Sequence, residues 1–181
     1  VAKEPLAFIH IDAHTDTWDN FQGSKFNHGA PFRRAHEEGL INANKTVQIG
    51  IRGAQNISEG WDYSENTGMR IFFVEELQER GVAAIVQETK DIVGNSPVYL
   101  SFDIDSIDPA FAPGTGTPEI AGITTPEALR LLRGFRKLNY VGSDIVEVSP
   151  PFDIGGLTSL TAATVMFELL CNLSEAIKTK K

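Results

Sequence analysis

Short, continuous apolar runs bounded by turn-forming residues recur near Leu6–Ile11, Thr46–Ile51, Arg70–Phe73, Val98–Phe102 and Val141–Val148. Runs of that length suit strands buried on both faces of a parallel sheet. Helical patterns lie between them. Pro31–Gly39 reads as a helix stopped by Gly39, and Glu75–Val93 as two helices broken at Gly81. Thr124-Thr125-Pro126-Glu127 reads as a capping box that opens a helix to about Lys137. Ala162, Val165, Met166, Leu169, Leu170, Leu173 and Ile177 recur at helical spacing, and Lys178, Lys180 and Lys181 complement the C-terminal dipole. Strands alternating with helices predict an α/β protein, a three-layer α/β/α arrangement around a mostly parallel sheet. No repeat or Pro/Ser-rich linker divides residues 1–181, so a single domain is expected.

Composition narrows the picture only a little. Apolar residues make up 41% and charged residues 22%, the balance of a globular chain rather than a disordered one. A net charge of −8 argues against nucleic acid or an anionic membrane as the main partner and suits divalent metals or a small cation. No run is expected to be long and apolar enough to span a membrane. The lone cysteine, Cys171, cannot form an internal disulfide; it falls in an apolar helical stretch and is expected to be a buried, inert thiol. A cytoplasmic location is the expectation.

Two acidic segments follow directly on predicted strands: Asp12-Ala13-His14-Thr15-Asp16 and Asp103-Ile104-Asp105-Ser106-Ile107-Asp108. Loops at the carboxyl ends of parallel strands are where open α/β sheets place their sites. Asp12, His14, Asp16, Asp103 and Asp105, packed into two such loops, would repel one another unless cations neutralise them. Oxygen-rich sites with one imidazole favour Mn²⁺ or Mg²⁺ over zinc. Other motifs fail on spacing. An EF-hand loop from Asp103 would need Gly and Glu where Asp108 and Gly114 stand, and Gly114-x-Gly116 lacks the third glycine of a dinucleotide fingerprint. No Ser or Cys sits in a nucleophile motif.

Those segments, with Pro113-Gly114-Thr115-Gly116-Thr117-Pro118-Glu119, Asn27-His28-Gly29 and Asp144-Ile145-Val146-Glu147-Val148, resemble the ureohydrolase family of arginase and agmatinase over essentially the whole chain. The resemblance implies two Mn²⁺ ions sharing a hydroxide, with Asp12 and Asp103 bridging, Asp16 on one ion, and His14 and Asp105 on the other. It implies that Glu147 pairs with a guanidinium, with Thr117 nearby, and that His28 passes a proton to the departing amine. Trp18 and Trp61 are read as loop residues near the site, Trp18 as a wall for the substrate chain. Asp108 is read as bracing its turn, whereas His10, pointing off a strand, and His36, on a polar helix, receive no role.

The sequence also departs from the family. Members carry a further histidine ligand on an upstream Gly-Gly-Asp-His segment, which this sequence lacks. The chain opens at Val1 without a methionine and enters a hydrophobic run by Leu6, and an incomplete ureohydrolase is favoured over a natural short enzyme. The strands kept are expected in the order 5-4-1-2-3, counted along the chain, with the fifth an exposed edge that another chain could pair with. One metal position would be left with carboxylates only, and hydrolysis by this chain would be slow unless His10 or a neighbouring chain supplied the histidine. Agmatine is the favoured substrate over a guanidino acid: Asp19 would hold agmatine's ammonium, whereas Lys25 or Arg33 would suit a carboxylate. A homo-oligomer is expected. The alternatives are an inactive metal-binding relative and a deacetylase-type amidohydrolase, against which Glu147 argues.

Overall fold

The computed structural model describes residues 4–54 and 58–179. Its elements in chain order are β1 (Leu6–Ile11), α1 (Pro31–Glu37), β2 (Ile41–Ile51), α2 (Glu59–Thr67), β3 (Arg70–Phe73), α3 (Val74–Arg80), α4 (Val82–Val93), β4 (Val98–Asp103), α5 (Thr125–Gly134), β5 (Tyr140–Val146) and α6 (Leu157–Thr179). A single turn of 3₁₀ helix, Ile104–Ser106, follows β4 directly. The strands form one parallel sheet in the order β3-β2-β1-β4-β5, the order the family resemblance implied.

Alternation along β1 explains the layering. Ala7, Ile9 and Ile11 face one side and join Val47, Ile49, Phe72 and Leu100 in the larger core, covered by α3, α4, α5 and α6. Phe8 faces the other side with Ile41, Ala43 and Met69, against Phe32 and Ala35 from α1 and Tyr63 from α2. Helices on both faces of a parallel sheet bury both faces of its central strand, and β1 is apolar on each side up to His10.

The capping box is formed: the Thr124 side chain accepts from the Glu127 amide, and the Glu127 carboxylate takes the Thr124 amide at 2.8 Å. Gly81 breaks α3 from α4 at φ 78°. Other expectations are corrected. β2 starts at Ile41, because Ile41 and Ala43 alternate inward with Asn42 and Asn44 and extend the strand beyond its apolar run. α2 was unforeseen: among its residues only Gly60 and Ser64 are buried, so no apolar stripe announces it. Trp61 therefore sits on a helix, edge-on to Phe73 at 5.3 Å, rather than in a loop. α5 stops at Gly134, before Lys137, which takes a positive φ of 70°.

α6 departs furthest from expectation. Leu157–Lys178, 22 residues, is long and apolar enough to cross a membrane by length and composition. Here its inner face, Ala162, Val165, Leu169 and Ala176, packs on α5 and β5. Its outer face leaves Leu160, Phe167, Leu170 and Ile177 exposed, and with them Cys171, which is not the buried thiol expected. Apolar residues run around more of this helix than one face of the core can cover. Lys180 and Lys181, assigned to its dipole, lie outside the described residues.

Candidate metal centre and substrate cleft

Reading across the sheet, the strand order reverses at β1 and β4, and their carboxyl ends open the crevice where ligands of doubly wound sheets bind. Ile11 is in register with Phe102, so Asp12 and Asp103 emerge side by side. Asp103 is in register with Val146, which brings Glu147 alongside. The two acidic segments thus converge at one end of the sheet.

His14 Nδ1 stands 3.1 Å from Asp105 Oδ2 and 3.4 Å from Asp12 Oδ1. Asp12 Oδ1 accepts the His14 amide at 2.6 Å, and Asp103 Oδ1 accepts the Asp105 amide at 2.8 Å. Asp105 accepts the Ala13 amide at 3.2 Å and the Thr117 hydroxyl at 3.1 Å. The last two bonds tie the β1, β4 and Thr117 loops together. His14, Asp16, Trp18, His28, Gly29, Asp103, Asp105, Thr117 and Glu147 line one cleft. Asp12 does not line the cleft; 1% exposed, it is buried against His14 and Asp105.

The electrostatics of this cluster call for a cation. Burial, then the charges of Asp12 and Asp105, push the Asp103 carboxyl up to about 11. Burial and the Asp12 charge raise Asp16 well above its ordinary range, and burial likewise raises Asp105. For Asp12 burial opposes ionisation, but His10 and His14 outweigh it and hold the carboxyl below the usual range. Burial also opposes the charged form of His14, yet its bonds to Asp105 and Asp12 raise it to about 11. Protons here stand in for the positive charge the carboxylates need. The ligand atoms of Asp12, His14 and Asp105 lie within 4.8 Å of one another, as do those of His10, Asp12 and Asp16. An oxygen-rich donor set with one cleft imidazole fits hard divalent ions.

Two cleft residues carry backbone strain. Asp16 and Glu147 adopt φ of 52° and 64°, a left-handed conformation that side-chain-bearing residues avoid unless their surroundings impose it. At Glu147 this turn ends β5 before the expected Val148. Trp18 packs so tightly on Gly29 and Gly60 that a Cβ at either would meet its ring, at 3.1 and 2.9 Å. Phe21 stands 6.0 Å from Trp18 and edge-on to His28 at 5.7 Å, extending the aromatic wall.

Asp19 is placed differently from its expected role. It does not line the cleft; its Oδ1 accepts from Arg34 at 2.7 Å, with Arg33 and Lys25 at 3.6 and 3.9 Å. Asp108 braces its turn by accepting from the Ala110 and Gly122 amides, both at 2.9 Å.

Three contributions went unread in the sequence. His10, considered there only as a substitute ligand, is 1% exposed and bonded to Asp12. Glu119 Oε1 stands 3.9 Å from His14 Nε2. Arg52 is buried and spends its N–H groups on carbonyl oxygens of Gly50, Asp105, Ser106, Glu119 and Ile120. The available signal was position: a charged residue directly after a buried strand, at the end of the sheet that carries the site.

Fold and cleft together define an α/β protein with a carboxylate-rich candidate cation site at the sheet's switch point. The chain belongs to the arginase family, whose sequence profile matches residues 1–171. It is 53% identical over 175 residues to a guanidinopropionase of Pseudomonas aeruginosa, covering 96% of this chain and 55% of the relative. It is 47% identical to the mitochondrial agmatinase of Gallus gallus, over 93% of this chain and 50% of that protein. The structure of proclavaminate amidino hydrolase from Streptomyces clavuligerus superimposes with a TM-score of 0.89 at 45% identity, over 95% of this chain and 56% of that one. The chain thus spans about half the length of the relatives it matches.

Proposed function

We propose that this cleft binds two divalent cations, Mn²⁺ by the chemistry of its donors, and hydrolyses a guanidino compound to urea and an amine. The convergence of His14, Asp16, Asp103 and Asp105 beside Glu147 in one cleft, with Asp12 buried against His14 and Asp105, carries the reading. Asp12, Asp103, His14, Asp105 and Asp16 would hold the ions, with Asp12 and Asp103 emerging side by side between the other ligands. Cations held there supply the Lewis acidity that makes hydrolysis feasible near neutral pH.

The remaining roles belong to the chain itself. The Glu147 carboxylate offers a planar, two-oxygen partner to a guanidinium and fixes its orientation. Trp18 and Phe21 flank the alkyl chain and exclude water from it. Water adds to the guanidino carbon, the carbon–nitrogen bond to the substrate chain breaks, and His28, on the cleft wall, delivers a proton to the departing nitrogen. The pairing of Asp19 with Arg34 counts against an ammonium site there, and the likeness to a guanidinopropionase favours a carboxylate-tailed substrate over agmatine.

Calorimetry with Mn²⁺ and then with 3-guanidinopropionate, 4-guanidinobutyrate and agmatine tests this reading, followed by urea assay. Mn²⁺-dependent binding of the guanidino acids in preference to agmatine is expected. Indifference of the chain to Mn²⁺ would overturn the proposal. Preference for agmatine would overturn only the assignment of the tail.

A further inference from the structure

His10 lies two residues before Asp12 on β1, so both side chains leave the same face of the sheet. Its ring is held between Phe8, near-parallel at 5.6 Å, and Phe32, edge-on at 4.4 Å, and is 1% exposed. Nε2 stands 2.7 Å from Asp12 Oδ2. Gln48 is its register partner on β2. The Gln48 amide approaches the Thr15 carbonyl oxygen at 2.7 Å, and a carbonyl only accepts, so the near atom is the amide nitrogen. The same nitrogen is 3.4 Å from His10 Nδ1, with its other hydrogen free to be donated there. Nδ1 is therefore the acceptor, and Nε2 carries the hydrogen donated to Asp12. The other Asp12 oxygen accepts the His14 amide at 2.6 Å. A backbone amide on one oxygen and the His10 ring N–H on the other fix the carboxylate plane.

We infer that His10, with its tautomer set by Gln48, is a positioning residue that locks the Asp12 carboxylate for cation binding. The inference rests on the proposed metal reading. It competes with one other role, since His10 Nε2 also lies within ligand reach of Asp12 and Asp16. The hydrogen assigned to Nε2 and the aromatic clamp on the ring oppose direct ligation. Metal-ligand orientation by a buried hydrogen-bond partner commonly changes affinity by about ten- to a hundred-fold.

The test is Mn²⁺ calorimetry on the 181-residue chain, with metal-free melting as the control for folding. His10→Phe keeps an aromatic ring but removes the donor; His10→Gln restores an amide donor near the Nε2 position. The expected result is about a ten- to hundred-fold weaker Mn²⁺ Kd for His10→Phe, recovery to within about threefold for His10→Gln, and metal-free melting retained in both. Wild-type affinity in His10→Phe overturns the inference. Equal loss in both variants also overturns it, by making the imidazole itself a ligand. Asp103→Ala separates the two levels: if it too binds Mn²⁺ normally, the metal reading has failed rather than the role of His10. Should His10→Phe not fold, Gln48→Met decides: weakened Mn²⁺ binding with retained metal-free melting supports the inference, and unchanged binding overturns it.

Discussion

Replacing Arg52 with methionine tests how the cleft is held together. The guanidinium donates from Nε to Ile120 at 2.9 Å, from Nη1 to Gly50 and Ser106 at 3.2 Å each, and from Nη2 to Asp105 at 2.8 Å and Glu119 at 2.7 Å. These acceptors come from the end of β2, the turn after β4 and the loop before α5. Methionine fills much of the space but donates nothing. Each bond to a charged donor is worth roughly 1.5–3 kcal/mol, but the sum overshoots. Water reaches part of the loops, and removing a buried charge recovers its desolvation cost. A net loss of about 3–5 kcal/mol is expected, the range for breaking a buried charged arrangement by removing one partner. At about 2–4 °C per kcal/mol for a chain of this size, melting should fall by about 6–20 °C. Lysine keeps the charge but not the planar fork and should recover less than half. Thermal melts in chelator and in Mn²⁺ are the assay, and the Mn²⁺-induced gain should also shrink because Asp105 loses its backbone anchor. A melt of Arg52→Met within about 2 °C of wild type, with the Mn²⁺ gain intact, would refute the reasoning.

Three further outcomes are expected. Mn²⁺ should raise the melting temperature by mass action, and Asp103→Ala should abolish the rise, because that carboxylate stands among the proposed ligands; a rise that survives would disconnect Asp103 from the metal. In chelator, stability should fall as pH climbs from about 6.5 toward 9. His14, raised from 6.5 to about 11 in the fold, contributes stability that is complete below 6.5 and lost above it. Asp103, raised from 3.8 to about 11, holds a proton that the unfolded chain has already released, which acts in the same direction. Saturating Mn²⁺ replaces those protons, so its stabilising increment should grow with pH, and melts in chelator that stay flat with pH would contradict these assignments. Glu147→Gln should leave Mn²⁺ binding unchanged and weaken guanidino-acid binding about tenfold or more; equal binding by both would remove Glu147 from the substrate site.

The cleft carboxylates were legible because the strands present them contiguously. Asp12, His14 and Asp16 leave one strand end, Asp103 and Asp105 another, and their alternation is written in the sequence itself. The parallel α/β architecture was legible for the same reason, from apolar runs too short for helices. What stayed hidden depends on pairings between distant segments. The part His10 plays needs Gln48 across the β1–β2 register, and Arg52 needs carbonyls from loops more than fifty residues further on. Asp19 looked free for a ligand because nothing local reveals that Arg34, a helical turn into α1, closes on it. α2 was missed because its inward positions are Gly60 and Ser64, which carry no apolar signal.

The position of each strand within the sheet also sets how firmly its loop is held. β1 is paired on both sides, by β2 and β4, and carries Asp12. β5 is paired on one side only, is buried solely at Tyr140, and carries Glu147. Local opening starts where pairing and burial are least. Amide exchange should therefore be slowest along β1, slow along β4 and fastest along β5. The cation ligands hang from the part of the sheet that opens last, and the carboxylate assigned to the guanidinium hangs from the part that opens first. Within this chain, the proposed metal floor is thus held more firmly than the wall that would meet the substrate.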